Sequence, residues 1–192
     1  MANEQESELR RTKEGRSWRI GQEADVAWIQ ERTPGGLAIT SAIPPVFEAY
    51  ATLEQPGTGN HSTRWSEELQ SREDAGVLEV LVEHTDEQPW WLGYLDTSPQ
   101  TDTVFDDVPK VSLYADWPYV LVEAGPEQAA AWRKHDRWND GMPELMFPMD
   151  RSWLASTLWD DDWMCIGGQR GWSTHSWPIG TCDRGFARSI SR

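Results

Sequence analysis

Cysteine is scarce in this chain, with two residues, Cys165 and Cys182, in 192. Their spacing matches neither a zinc-ligand pattern nor a redox CxxC, and two thiols make no disulfide framework. They read as reduced thiols, with Cys165 buried. Long apolar runs are also missing. No stretch approaches the roughly 20 residues that a membrane-spanning helix needs. Positive charge is short, at 17 Lys and Arg against 32 Asp and Glu, a formal net charge of −15. That balance argues against a nucleic-acid binder, whose affinity comes from basic side chains on phosphates. The charged segment Met1–Ser17 lacks the apolar stretch of a secretory signal, and Met1 reads as a native start, so a cytoplasmic location is expected.

Local catalytic motifs are equally sparse. The histidines His61, His84, His135 and His175 form no HExxH or other close pair, so no metal site is indicated. His84 falls at a helix C-terminus, where it suits the dipole. No GxSxG elbow is present, and nothing around Ser156 marks a nucleophile. Gly167-Gly168 lacks the rest of a phosphate loop and reads as a strand-ending turn. No cofactor is implied.

What the chain does have is tryptophan, 13 residues of it beside 4 Tyr and 4 Phe. Each buried indole removes roughly 150–250 Å² from water, enough to build a core despite a hydrophobic content of 38%. The length fits one domain. Gln22–Arg32 reads as a short amphipathic helix stopped by Pro34-Gly35-Gly36. Leu37–Thr40 and Val46–Leu53 read as strands, the second with Phe47, Ala49, Ala51 and Leu53 on one face. Ser66 caps the clearest helix, in which Leu69, Val77, Leu78, Leu81 and Val82 line one side up to about His84.

Beyond Pro89 the chain turns to strands: Trp90–Asp96, then Lys110–Ala115 and Pro118–Glu123 as an antiparallel hairpin. Gly125-Pro126 starts a helix running to about Asp136, with proline in its first turn. Residues 136–148 read as irregular. Trp153–Trp159 and Trp163–Ile166 read as strands about an Asp160-Asp161-Asp162 turn. The expected fold class is α+β, a single layer of mixed, mainly antiparallel sheet packed by two or three helices. The expected domain spans 18–168, after a disordered segment 1–17.

Residues 169–192 differ in kind. They carry one acid and four arginines, a net of +3, whereas residues 1–168 carry 31 acids and 13 bases, a net of −18. Arg, Trp, Ser, Gly, Cys and Pro are what shifted frames of GC-rich genes tend to encode. Back-translation with GC-rich codons and a shift of one nucleotide yields a Leu/Val/Ala/Asp-rich amphipathic helix. Two readings of this irregular basic tail stand, frame-shifted sequence that replaces a last helix or a natural Trp/Arg-rich disordered tail, and the nucleotide sequence of the gene decides between them.

Candidate binding residues are Trp90, Trp91, Trp159, Asp160, Asp161, Asp162 and Trp163. Adjacent on a strand, Trp90 and Trp91 point to opposite faces, which predicts one in the core and the other exposed. Trp159 and Trp163 flank the acidic triplet. Its carboxylates are the oxygen ligands that a hard cation takes, but no calcium loop surrounds them and a solvated turn explains them with less strain. Exposed Trp stacks on sugars or anchors a protein interface.

Four stretches resemble an uncharacterised bacterial family of conserved proteins of unknown function, typical of GC-rich genomes. They are Ala42–Leu53 (AIPPVFEAYATL), Trp90–Thr97 (WWLGYLDT), Tyr119–Ala129 (YVLVEAGPEQA) and Asp150–Trp163 (DRSWLASTLWDDDW). They span most of residues 37–168. Similar proteins continue after the paired glycines with a Leu-rich helix, and this chain departs there. The resemblance implies no activity, cofactor or catalytic residue.

Three function classes follow. The first is a non-catalytic acidic interaction protein, of the immunity or accessory-factor kind, that binds a basic protein partner. The second is a carbohydrate or small-molecule binder with a Trp-lined cleft. The third is a hydrolase or transferase in which Glu123 or Asp160–Asp162 does acid–base work. Neither a membrane nor a nucleic acid is an expected partner.

Overall fold

The computed structural model of the protein describes residues 10–33, 41–54, 67–97, 105, 107–132, 142–158 and 163–170. Among them are nine strands. In chain order these are β1 (Arg10–Lys13), β2 (Arg16–Ile20), β3 (Ala49–Glu54), β4 (Trp90–Leu95) and β5 (Val111–Leu113), then β6 (Trp117–Ala124), β7 (Leu145–Pro148), β8 (Leu154–Thr157) and β9 (Trp163–Gly168). Three helices accompany them, α1 (Glu23–Gln30), α2 (Glu67–Glu83) and α3 (Pro126–Ala131). The strands form one open sheet in the order β1-β2-β6-β4-β7-β8-β9-β3, with β5 also paired to β6. Every pairing is antiparallel. This is the α+β class expected.

The sheet is covered on both sides. On one side α2 (Val77, Leu78, Leu81) and α3 (Ala129) pack against Trp90, Leu92, Val122 and Trp153. On the other, α1 (Val26, Trp28, Ile29) and the segment Ala42-Ile43 pack against Trp91, Leu121, Leu145 and Phe147. Central strands therefore lose their alternation of polar and apolar residues, and β4, β7 and β8 are buried at every position.

That double cover explains where the sequence pattern misleads. Residues 136–148 read as irregular, yet Leu145–Pro148 is β7, seated between β4 and β8. Four consecutive apolar residues ending in proline carry no period to identify them. In α2, Val82 leaves the expected apolar face and is 45% exposed, because it lies 100° round the helix from Leu81 and past the edge of the buried stripe. Residues 10–17 were expected outside the domain, but Arg10–Lys13 pairs with β2 across the two-residue turn Glu14-Gly15. Both turn residues have positive φ, 56° and 73°, as the hairpin-compatible type I′ turn requires.

The helices starting near Gln22, Ser66 and Gly125-Pro126 are α1, α2 and α3. The 110–123 hairpin is β5–β6, joined through Tyr114, Ala115 and Asp116. The strand expected from Val46 begins only at Ala49, because Phe47 turns aside to pack over Gly167. Gly167 and Gly168 do not follow β9 but end it from within; a Cβ on Gly167 would overlap Phe47 and Ile43. Cys165 is buried, as expected. The strand expected at 37–40 and the tail from 171 onward lie outside the described residues.

Candidate functional site

The structure separates the residues that sequence reasoning grouped as a binding surface. Trp90 and Trp91 do point to opposite faces, but each is only 2% exposed. The expected exposed partner of the pair is lost because α1 and residues 42–43 cover the second face as α2 covers the first. Trp159, Asp160, Asp161 and Asp162 lie outside the described residues. Trp163 opens β9 at 37% exposure, opposite Glu54 of the edge strand β3.

Glu123 does not belong to a pair of carboxylates poised for acid–base work. Its Oε2 accepts from Arg19 Nη1 at 2.8 Å, and Arg19 Nη2 donates to Asp25 Oδ1 at 3.0 Å. The guanidinium lies 4.6 Å from the Trp91 ring. Asp25 Oδ2 also accepts from the Gln22 N–H, capping α1. The cluster ties β2, β6 and α1 together. Among the described residues, no group of three or more His, Cys, Asp or Glu side chains is placed to hold a metal ion.

Ser156 is structural. It is fully buried, and its Oγ lies 2.7 Å from the Tyr114 hydroxyl, which donates to the Ala42 carbonyl at 2.9 Å. Since the tyrosine proton is committed to Ala42, Ser156 donates to the tyrosine oxygen. Burial pushes the Tyr114 hydroxyl well above its ordinary pKa, so it stays neutral and cannot act as a base for the serine. The chain Ser156–Tyr114–Ala42 pins the 41–47 segment over the sheet. Tyr114→Phe leaves the Ala42 carbonyl without its donor and is expected to cost about 1–3 kcal/mol in urea unfolding.

Two features that sequence reasoning passed over have the character of interaction sites. One is α2, with six acids, Glu67, Glu68, Glu73, Asp74, Glu79 and Glu83, against the single base Arg72. Glu79, Val82 and Glu83 share its outer face and are exposed. Asp86 and Glu87 continue the exposed acidic run beyond its end. Asp74 instead lies on the inner row with Val77, Leu78 and Leu81. Burial, reinforced by the neighbouring Glu73 charge, raises its pKa to about 6.

The second is a cleft of about 420 Å³ between the β1–β2 hairpin and the start of α3. The hairpin concentrates Arg10, Arg11, Lys13, Arg16 and Arg19 with one acid, Glu14, although residues 1–168 together carry a net of −18. The signal was present in the sequence as a basic RRTKEGRSWR run. Such a run has no apolar face, so local pattern does not mark it as a strand.

Comparison with protein families, with curated proteins and with solved structures found no match to this chain. No residue role comes from a relative, and the functional reading rests on the geometry above.

Proposed function

We propose that this chain is a non-catalytic interaction protein that binds a basic protein partner through the outer face of α2. The observation that carries the reading is the exposed acidic run Glu79, Glu83, Asp86 and Glu87 around the exposed Val82. An apolar contact ringed by charge of one sign suits a complementary surface. The charges steer a cationic partner and set orientation, while the apolar residue supplies buried contact. The net charge of −15 adds a long-range field of the same sign. The Trp-lined ligand surface loses support, since Trp90 and Trp91 belong to the interior.

The test is capture of basic proteins by the immobilised chain at about 0.05 M and about 0.5 M salt, where the screening length falls from over 10 Å to a few Å. A partner is expected at low salt and is lost at high salt. The Glu79→Lys/Glu83→Lys variant is expected to weaken its binding by roughly tenfold or more, chiefly through slower association. Binding that ignores both the salt and the charge reversal overturns the reading.

A further inference from the structure

The cleft beside the β1–β2 hairpin exists because β2 leaves the sheet early. Its pairing with β6 covers only Arg19↔Glu123 and Ile20↔Val122. The next bond on that edge, Gly21 N–H to the Leu121 carbonyl at 2.7 Å, fixes which residues of β2 turn their backbone groups toward β6. In an antiparallel ladder these alternate, so Gly21, Arg19 and Ser17 face β6, while Arg16 and Trp18 face β1. Ser17 would next meet Gly125, but the strands have parted there. The Ser17 N–H and C=O and the Gly125 N–H are left along the cleft without a strand partner, a short open edge at the surface, where Ser17 is exposed and Gly125 half-buried.

Three arginines, Arg10, Arg16 and Arg19, line the cleft against two acids, Glu123, which is paired with Arg19, and Glu127 at the start of α3, so the lining keeps a surplus of positive charge that suits a carboxylate. Arg16 lies over the Trp18 ring at 4.5 Å and has no carboxylate partner among the described residues. Stacking holds the guanidinium plane while its N–H fork stays available, the geometry that suits bidentate carboxylate recognition. Arg10 lines the same cleft, and the Arg19–Glu123 pair forms part of its wall. Gly125 is extended, with φ −154° and ψ 180°, and a Cβ there would meet only Gln128 Oε1, at 3.4 Å. Neither backbone conformation nor packing requires glycine at this position, and a larger side chain would project into the cleft.

We propose that this cleft binds the C-terminal end of a peptide chain. The terminal carboxylate pairs with Arg16, and the last amide groups complete the ladder on Ser17 and Gly125. Amide complementarity along one edge and a stacked guanidinium at its end are the two elements of strand addition and chain-end capture. A phosphate or a free small acid would use the arginine but leave the backbone edge empty. The site stands apart from the acidic face of α2, and its test does not touch that surface.

The experiment is amide NMR of the full chain titrated with N-acetyl-Ala-Ala-Ala as free acid, with the same peptide as C-terminal amide, and with acetate. The free acid is expected to shift the Ser17 and Gly125 amide signals saturably. The amide form, and the Arg16→Gln variant with the free acid, are expected to bind roughly tenfold or more weakly. Gly125→Val is expected to abolish the shifts while the rest of the spectrum keeps its folded dispersion. Equal binding of acid and amide forms, acetate binding as tightly as the peptide, indifference to Arg16→Gln or to Gly125→Val, or no saturable shift each overturns the proposal.

Discussion

Trp153→Ala is expected to cost about 3–5 kcal/mol, the range for removing a fully buried large aromatic side chain. Trp153 is completely buried and meets Trp90 edge-to-face at 4.8 Å. Its Nε1 donates to Thr85 Oγ1 at 2.7 Å, and Thr85 Oγ1 donates to the Leu81 carbonyl at 2.6 Å. The indole therefore does two things. It fills the space between sheet and helix, and its N–H holds the Thr85 hydroxyl, which itself satisfies a carbonyl that the end of α2 would otherwise leave open. At roughly 2–4 °C per kcal/mol for a chain of this size, the melting temperature is expected to fall by about 10 °C.

Trp153→Phe separates the two contributions. It keeps most of the ring and loses the N–H, so its cost is expected nearer 1–2 kcal/mol. Trp163→Ala removes an exposed indole and is expected to stay within about 0.5 kcal/mol of the parent. Equal losses for Trp153→Ala and Trp163→Ala in urea unfolding would contradict the packing described here.

Asp74→Asn is expected to stabilise the protein at neutral pH. The carboxyl sits on the inner row of α2 with no ion-pair partner among the described residues, and its pKa is raised to about 6 by burial and then by Glu73. A folded-state value above the ordinary 3.8 means that the folded protein holds this proton more tightly than the unfolded chain. The favourable contribution is complete below about pH 4. It is lost as pH rises toward 6, and above that the penalty is constant. Two units correspond to about 3 kcal/mol, and partial access to solvent brings the expected gain on substitution to about 2 kcal/mol. The melting temperature at pH 7.5 is then expected to rise by roughly 4–8 °C, with parent and variant converging near pH 4. A gain that persists at pH 4 would mean that the charge is not its source.

The carboxylate at position 74 also bears on the proposed interaction. Charge on the outer face of α2 is solvated and inexpensive, whereas charge on the inner row opposes folding. One helix carries both, and only its placement against the sheet distinguishes Glu79 from Asp74. A cationic partner near Glu73 would favour ionisation of Asp74, so partner binding and proton release are expected to be coupled.

What the sequence determined by itself was local. Periodicity placed α1 and α2, proline and glycine placed the start of α3, and β-branched and aromatic runs placed β4, β5 and β6. It also determined that Trp90 and Trp91 point to opposite faces, since a strand has a period of two whatever surrounds it. The charge imbalance, and with it the class of partner proposed, is likewise a property of composition.

The tertiary structure decided what covers each face. Whether Trp91 is core or surface depends on α1 and Ala42-Ile43, which come from distant parts of the chain. No local pattern in Trp90–Leu95 reports their presence. The same reason hid β7, whose apolar run has meaning only between β4 and β8. β1 was hidden for the opposite reason: it is a polar edge strand held by pairing rather than by an apolar face. Arg19 meets Glu123 across 104 positions, and the cleft opens where their strands part. Period and composition are carried by neighbours in sequence. Cover, ion pairing and clefts are made by residues far apart in it, and they exist only once the sheet has assembled.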